Sequence, residues 1–215
     1  TPHDKLFVSS VAPSAEPVKP DTYYRFASNT KNFTATSILN MHEDGWLNYK
    51  AKITDKIPGT NIPYVPNNPD WKFPYKDAIT IEQLLQHSAG VYDVDNDSVP
   101  GYNGQSFTEF TQHTKPGHQF TTDEMVKLLV KHNLSYFKPG QDYHYSNTGY
   151  SILAKIIATV YSNKAGTVKT YADYLNDYII GGRSPVPLKT VHFPVSAADS
   201  VLPKPFVTGL MVEPH

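Results

Sequence analysis

Proline and glycine cut this chain into short pieces, and that punctuation limits the fold more than any other feature. Eighteen prolines and twelve glycines are spread over 215 residues. Proline lacks an amide proton and fixes φ, so it is kept out of helix interiors and central strands. Pro13, Pro17 and Pro20 break the N-terminal segment, where Leu6-Phe7-Val8 is the one short strand candidate. Pro58-Gly59 and Pro66 make residues 53–78 a long irregular connection, Pro139-Gly140 makes a turn, and the chain is proline-rich and irregular from Arg183 onward.

Five stretches between these breaks have helical periodicity. About 28–44 carries Phe33, Ser37, Ile38 and Met41 and stops at Gly45. Thr80-Ile81-Glu82-Gln83 has the capping-box pattern, followed by Leu84 and Leu85 and a stop at Gly90. Thr121 and Glu124 box a helix over about 122–132, with Met125, Leu128 and Leu129 as its stripe. Residues 147–161 carry Ile152, Leu153, Ile156, Ile157 and Val160, and a fifth helix covers about 168–179 before Gly181-Gly182. Residues 91–120 are polar and read as an excursion over the surface. Five amphipathic helices need a partner surface, and a sheet in short or missing segments is expected to provide it.

Bulk properties remove several function classes. A net charge of −1 without a basic block gives no electrostatic footprint for nucleic acid. No run of about 18 apolar residues is present to form a membrane span. With no cysteine, disulfides and cysteine-based metal sites are excluded. Abundant tyrosine and proline, with Asn, Thr and Ser in the loops, suit an exported protein, so a periplasmic or secreted location is the expectation. The length suits one domain.

Chemistry enters at Ser28-Asn29-Thr30-Lys31. Serine and lysine three apart on a helix share a face. At a helix start the serine hydroxyl is presented as a nucleophile, the amine stands near enough to take its proton, and the backbone N–H and helix dipole favour an oxyanion. A lysine titrates near 10.4 in water, so it has to be brought down to act as a base. By itself the pattern is weak, because a capping serine followed by a solvated lysine looks the same. Tyr145-Ser146-Asn147 falls just before a helix. Its tyrosine can relay a proton and its asparagine can orient Lys31 and a substrate amide. Core packing and helix capping are the plain alternatives.

Four blocks in order strengthen the reading. Tyr24-Arg25-Phe26-Ala27-Ser28-Asn29-Thr30-Lys31-Asn32-Phe33-Thr34-Ala35 resembles the nucleophile region of the serine beta-lactamase and DD-peptidase superfamily, closest to class C beta-lactamases and related D-alanyl-D-alanine carboxypeptidases. Glu43-Asp44-Gly45-Trp46-Leu47 is similar to the family's acidic-Gly-x-Leu helix end, residues 79–91 to its helix ending in a His-x-x-Gly turn, and residues 145–150 to its Tyr-x-Asn segment. The resemblance runs from about residue 6 to 209. It implies a beta-lactamase/transpeptidase-like α/β (α+β) fold, with a helical lobe over about 45–145 and part of an antiparallel sheet lobe. It implies Ser28 as acylated nucleophile, Lys31 as its partner, Tyr145 in proton transfer and Asn147 on the substrate amide. Which of Lys31 and Tyr145 is the base is disputed for such sites, and a coupled pair is expected.

The family's third motif, Lys-Thr-Gly or His-x-Gly on a C-terminal strand, is not found. Lys169-Thr170 leads into Tyr171 in a helical stretch and does not qualify. The expectation is therefore a partial catalytic domain over 1–215, lacking the C-terminal strands and half of the oxyanion hole, with a complementary C-terminal chain or segment completing it. No cofactor is implied. His113 and His118 are five apart and the other histidines are scattered, without metal-ligand spacing; His87 is expected to bond its own turn. The sequons at Asn32, Asn96 and Asn133 read as chance. The expected substrate is a small D-alanyl-D-alanine-type cell-wall peptide, with beta-lactams as mimics. Class C-type lactamase, D-amino-acid amidase or aminopeptidase, esterase, and non-catalytic binder are the alternatives.

Overall fold

The structure, a computed structural model, describes residues 19–193 and 201–207. The strand candidate Leu6-Phe7-Val8 lies outside the described residues. Among the described residues six α-helices follow in order: α1 Thr30–Glu43, α2 Ile81–Leu85, α3 Phe107–Thr114, α4 Thr122–His132, α5 Asn147–Ala165 and α6 Tyr171–Tyr174. α6 continues into a π-wound turn, Leu175–Ile179.

α5 is the hub, packing against α1, α2, α4 and α6. Ile152, Leu153, Ile156, Ile157, Val160 and Tyr161 are buried at i, i+3/i+4 spacing. Each such side chain is worth about 2 kcal/mol against exposure. Opposite it, α1 buries Thr34, Ser37, Ile38 and Met41. α5 runs past 161 because Ser162 to Ala165 are tolerated on an exposed face until Gly166, at φ 67°, ends it.

The capping boxes at Thr80/Gln83 and Thr121/Glu124 are both formed. α2 is shorter than its sequence pattern, ending at Leu85, because His87 adopts a left-handed conformation, φ 57°, at the position glycine commonly takes after a helix. α6 begins at Tyr171 rather than near 168. Thr170 caps it, and Val168 ahead of it is 91 % exposed and adds nothing to the stripe.

Residues 91–120 are not a surface excursion. Val91, Asp93, Val94, Val99 and Phe107 are buried, and Ser106 caps α3 by accepting from the Glu109 amide at 3.1 Å. Polar residues outnumber these anchors, which hid them. The irregular 53–78 connection likewise buries Ile53, Ile57, Tyr64, Trp71 and Phe73. Its Trp71 indole donates to Asp123 of α4 at 2.8 Å, and Lys155 of α5 donates to the other oxygen at 2.8 Å.

Among the described residues no strand forms. Three isolated bridges occur: Tyr23 with Phe206, Lys52 with Thr80, and Lys56 with Pro63. The described part is thus helix and irregular chain, without the portion of sheet that was expected.

Candidate active site

Ser28 sits in a 3-10 turn, Ala27–Asn29, that leads directly into α1. The preceding Ala27 is held at φ 42°, in the left-handed region, which costs a non-glycine residue about 1–2 kcal/mol. Two bonds close this turn: the Asn29 amide and side-chain nitrogen both reach Phe26 O, at 3.0 and 3.1 Å. Phe26 is itself anchored on Phe33 and Phe193, with ring centroids 5.6 and 6.0 Å away. One helical turn on, Lys31 directs its amine back to the serine, Nζ donating to Ser28 Oγ at 3.4 Å.

The second half arrives from α5. Ser146 is its cap, accepting from the Gly149 amide at 3.0 Å, and its own backbone is extended at φ −145°, ψ 114°. On extended backbone, residues on either side of a given position point the same way. Tyr145 and Asn147 therefore both face α1. The Tyr145 hydroxyl lies 2.7 Å from Ser28 Oγ. Asn147 Oδ1 accepts from Lys31 Nζ at 2.6 Å. Lys31 Nζ also stands 4.6 Å from the Tyr145 ring centroid and 5.4 Å from that of Tyr150, within cation–π range. The four residues singled out from sequence thus meet in one cluster.

Three residues outside that set hold it. The His87 imidazole reaches across to the start of α5 rather than bonding its own turn as expected. Its Nδ1 accepts from the Ser146 amide at 3.0 Å, and its ring stacks on Tyr145 at 4.6 Å. Asp93, 1 % exposed, accepts from the Asn147 amide at 3.0 Å and from the Asn96 side chain at 2.8 Å. Asp95 accepts from Asn147 Nδ2 at 2.6 Å. The alternation Asp93, Asp95, Asp97 is present in the sequence, but in a polar stretch nothing local distinguishes a carboxylate with a distant partner from a solvated one. The third of them accepts from the Tyr136 hydroxyl; burial, and then this bond, push that phenol's pKa well up. His144, beside Tyr145, turns away and stacks on Tyr136 at 3.6 Å.

Burial, reinforced by the nearby Lys31 charge, holds the His87 imidazole below its ordinary pKa, against the opposing pull of Asp93. An Nδ1 that accepts from Ser146 requires the neutral ring. A histidine with a lowered folded pKa contributes stability fully present above the unfolded value, about 6.5. That stability is lost as the pH falls through the lowered folded value. The melting temperature is expected to decline below pH 6.5 more steeply in the parent than in His87→Asn. Asparagine tolerates the left-handed backbone and can accept the same N–H. Parallel melting curves against pH for the two proteins would refute this role.

Among the described residues no group of three or more His, Cys, Asp or Glu is placed to hold a metal. A cavity of about 760 Å³, lined by residues such as Tyr23, Arg25, Ala27, Thr30 and His192, lies on the N-terminal side of the serine turn. The cluster itself supplies a hydroxyl that can attack, an amine and a phenol in contact with it that can move its proton, and an amide that can hold a polar group beside them.

The family model described as Beta-lactamase matches residues 3–193. Penicillin-binding protein 4* of Bacillus subtilis is 33 % identical over 164 residues, covering 76 % of this chain and 29 % of that protein. Among solved structures, a D-stereospecific amidohydrolase from Streptomyces superposes with a TM-score of 0.56 at 24 % identity, covering 75 % of this chain and 42 % of that one. A penicillin-binding protein from Bacillus halodurans gives 0.50 at 25 % identity, covering 74 % and 39 %. The chain thus spans less than half the length of each of these relatives.

Proposed function

Because the chain belongs to the beta-lactamase family, we propose that it carries the nucleophile half of a serine acyl-transfer site and acts as a penicillin-binding D-alanyl-D-alanine carboxypeptidase. The observation that carries the reading is the contact of the Ser28 hydroxyl with both candidate proton carriers, Tyr145 at 2.7 Å and Lys31 at 3.4 Å.

In the proposed reaction, Ser28 Oγ attacks the carbonyl carbon of the terminal peptide bond while its proton passes to the Lys31–Tyr145 pair. The tetrahedral intermediate collapses by breaking the C–N bond, and the leaving nitrogen takes up that proton. A Ser28 ester and free D-alanine result. Water then attacks the ester, gives one proton to the pair and returns Ser28 as an alcohol. A beta-lactam follows the first half of this course, its opened ring remaining attached as the acyl group. Asn147 holds the substrate amide. The second oxyanion donor is proposed to come from a complementary segment bearing Lys-Thr-Gly or His-x-Gly, since neither triplet occurs in this sequence. An extracytoplasmic location, where cell-wall peptide is found, goes with this reading.

The test is covalent labelling of the intact protein carrying this chain by a fluorescent penicillin, read by gel and by intact mass. One acyl adduct on Ser28, absent in Ser28→Ala, is expected. Release of D-alanine from an acylated Lys-D-Ala-D-Ala peptide, with slow turnover of nitrocefin, then separates the peptidase from a lactamase. No adduct on the parent, or an adduct that survives Ser28→Ala, refutes the proposal.

A further inference from the structure

We propose that Asp95 is a positioning residue that fixes which way round the Asn147 amide sits, so that its oxygen rather than its nitrogen meets Lys31. The kinetic arm of this inference rests on the acyl-transfer reading; its geometric arm does not.

A side-chain amide has two ends of similar shape and opposite hydrogen-bonding character. At Asn147 the two ends meet opposite demands. Oδ1 takes the Lys31 amine at 2.6 Å, and Nδ2 gives to Asp95 Oδ2 at 2.6 Å. Turning the amide over would set N–H groups against the lysine donors and the amide oxygen against a carboxylate. Both contacts would change from attractive to repulsive, in a partly buried place where unmet polar groups are costly. Only a carboxylate imposes this at the Asp95 end, because it accepts and cannot donate when ionised. A neutral amide there would satisfy either orientation of Asn147.

Asp95 is itself braced. Its other oxygen takes the Thr108 hydroxyl from α3, and its backbone amide gives to Asp93 Oδ1 at 3.1 Å. Asp93 also holds the Asn147 backbone amide at 3.0 Å. Asn147 is therefore gripped at main chain and side chain by one loop. With these bonds made, Asn147 keeps one N–H and one oxygen lone pair for a substrate, both in a fixed direction.

The test is a double-mutant cycle on the intact protein with Asp95→Asn, Asn147→Ala and both together. The acylation rate by penicillin is expected to fall about tenfold or more on Asp95→Asn, the size of one lost charge-assisted bond. It is expected to fall less than about twofold when Asp95→Asn is added to Asn147→Ala, because the group it acts through has gone. Asp95→Glu is expected to recover part of the loss. Melting temperatures of the same four proteins form a second cycle, and the double variant is expected to lose less than the sum of the singles. Equal rate losses in both backgrounds, or additive melting shifts, overturn the proposal. If the parent is not acylated at all, the acyl-transfer reading fails and the melting cycle alone decides the role of Asp95.

Discussion

Lys31→Met is expected to slow acylation of Ser28 by about 10³-fold, within the range that a positioned acid–base group contributes. The substitution keeps most of the stem's length and apolar contact while removing the amine that, among the described residues, is in contact with Ser28 Oγ. It also removes the donor to Asn147 Oδ1 and the cation over the Tyr145 and Tyr150 rings. Among the described residues, the Tyr145 phenol is then the remaining group in contact with Ser28 Oγ to take its proton. Tyr145→Phe removes the other route and is expected to cost a comparable factor. If the two groups act as a unit, the double variant loses far less than the product of the single losses, as groups in one proton path do. Stopped-flow acylation with a chromogenic or fluorescent penicillin measures all three. A Lys31→Met rate within tenfold of the parent would remove the lysine from the reaction.

The second large effect is structural. Gly90→Ala is expected to destabilise the protein by about 4 kcal/mol or more, the range reserved for a few named mechanisms. Two act together at this position. Gly90 has φ 68°, where an alanine pays about 1–2 kcal/mol. A Cβ there would sit 2.0 Å from the Phe137 carbonyl oxygen, so backbone has to move. Backbone cannot move freely, because Gly90 O accepts from the Tyr136 amide at 2.9 Å and the neighbouring Ser88 O from the Gly140 amide at 2.8 Å. The melting temperature is expected to drop by about 8–16 °C for a chain of this size. Gly59 provides the control. Its φ is 75°, but nothing lies within 4 Å of its Cβ position, so Gly59→Ala pays only for the backbone. Thermal denaturation of the two variants side by side decides the matter: equal losses would mean that the contact with Phe137 is not what requires glycine.

The helices were legible because their signals are local. Thr121 with Glu124, and Thr80 with Gln83, mark helix starts whose boxes are present in the structure. The apolar stripe from Ile152 to Val160 marks the helix that organises the core. The Ser106–Glu109 cap of α3 was equally local, but it sat inside a polar stretch whose few anchors, Val94, Val99 and Phe107, are too widely spaced to show a period. The candidate site was legible in part for a different reason. Ser28 and Lys31 are one helical turn apart, and their association follows from spacing, whereas Tyr145 lies 117 positions away and was tied to them by resemblance. The groups around them escaped notice because their partners are distant in sequence. Asp95 and Asn147 are 52 positions apart, and His87 and Ser146 are 59 apart. No periodicity connects such pairs; only the packing of α2 and the 93–97 loop against the start of α5 does.

The extended backbone at Ser146 also sets a length. Two steps along such a chain advance about 6.6 Å, so the separation between the roots of the phenol and the carboxamide belongs to the peptide itself and not to either side chain. Exchanging residue 145 or 147 alters what each group offers without changing where it starts. Adding or deleting one residue between them does the reverse, sending one of the two to the opposite face. At this edge of the site a substitution therefore changes the chemistry in place, whereas an insertion or deletion moves the group itself.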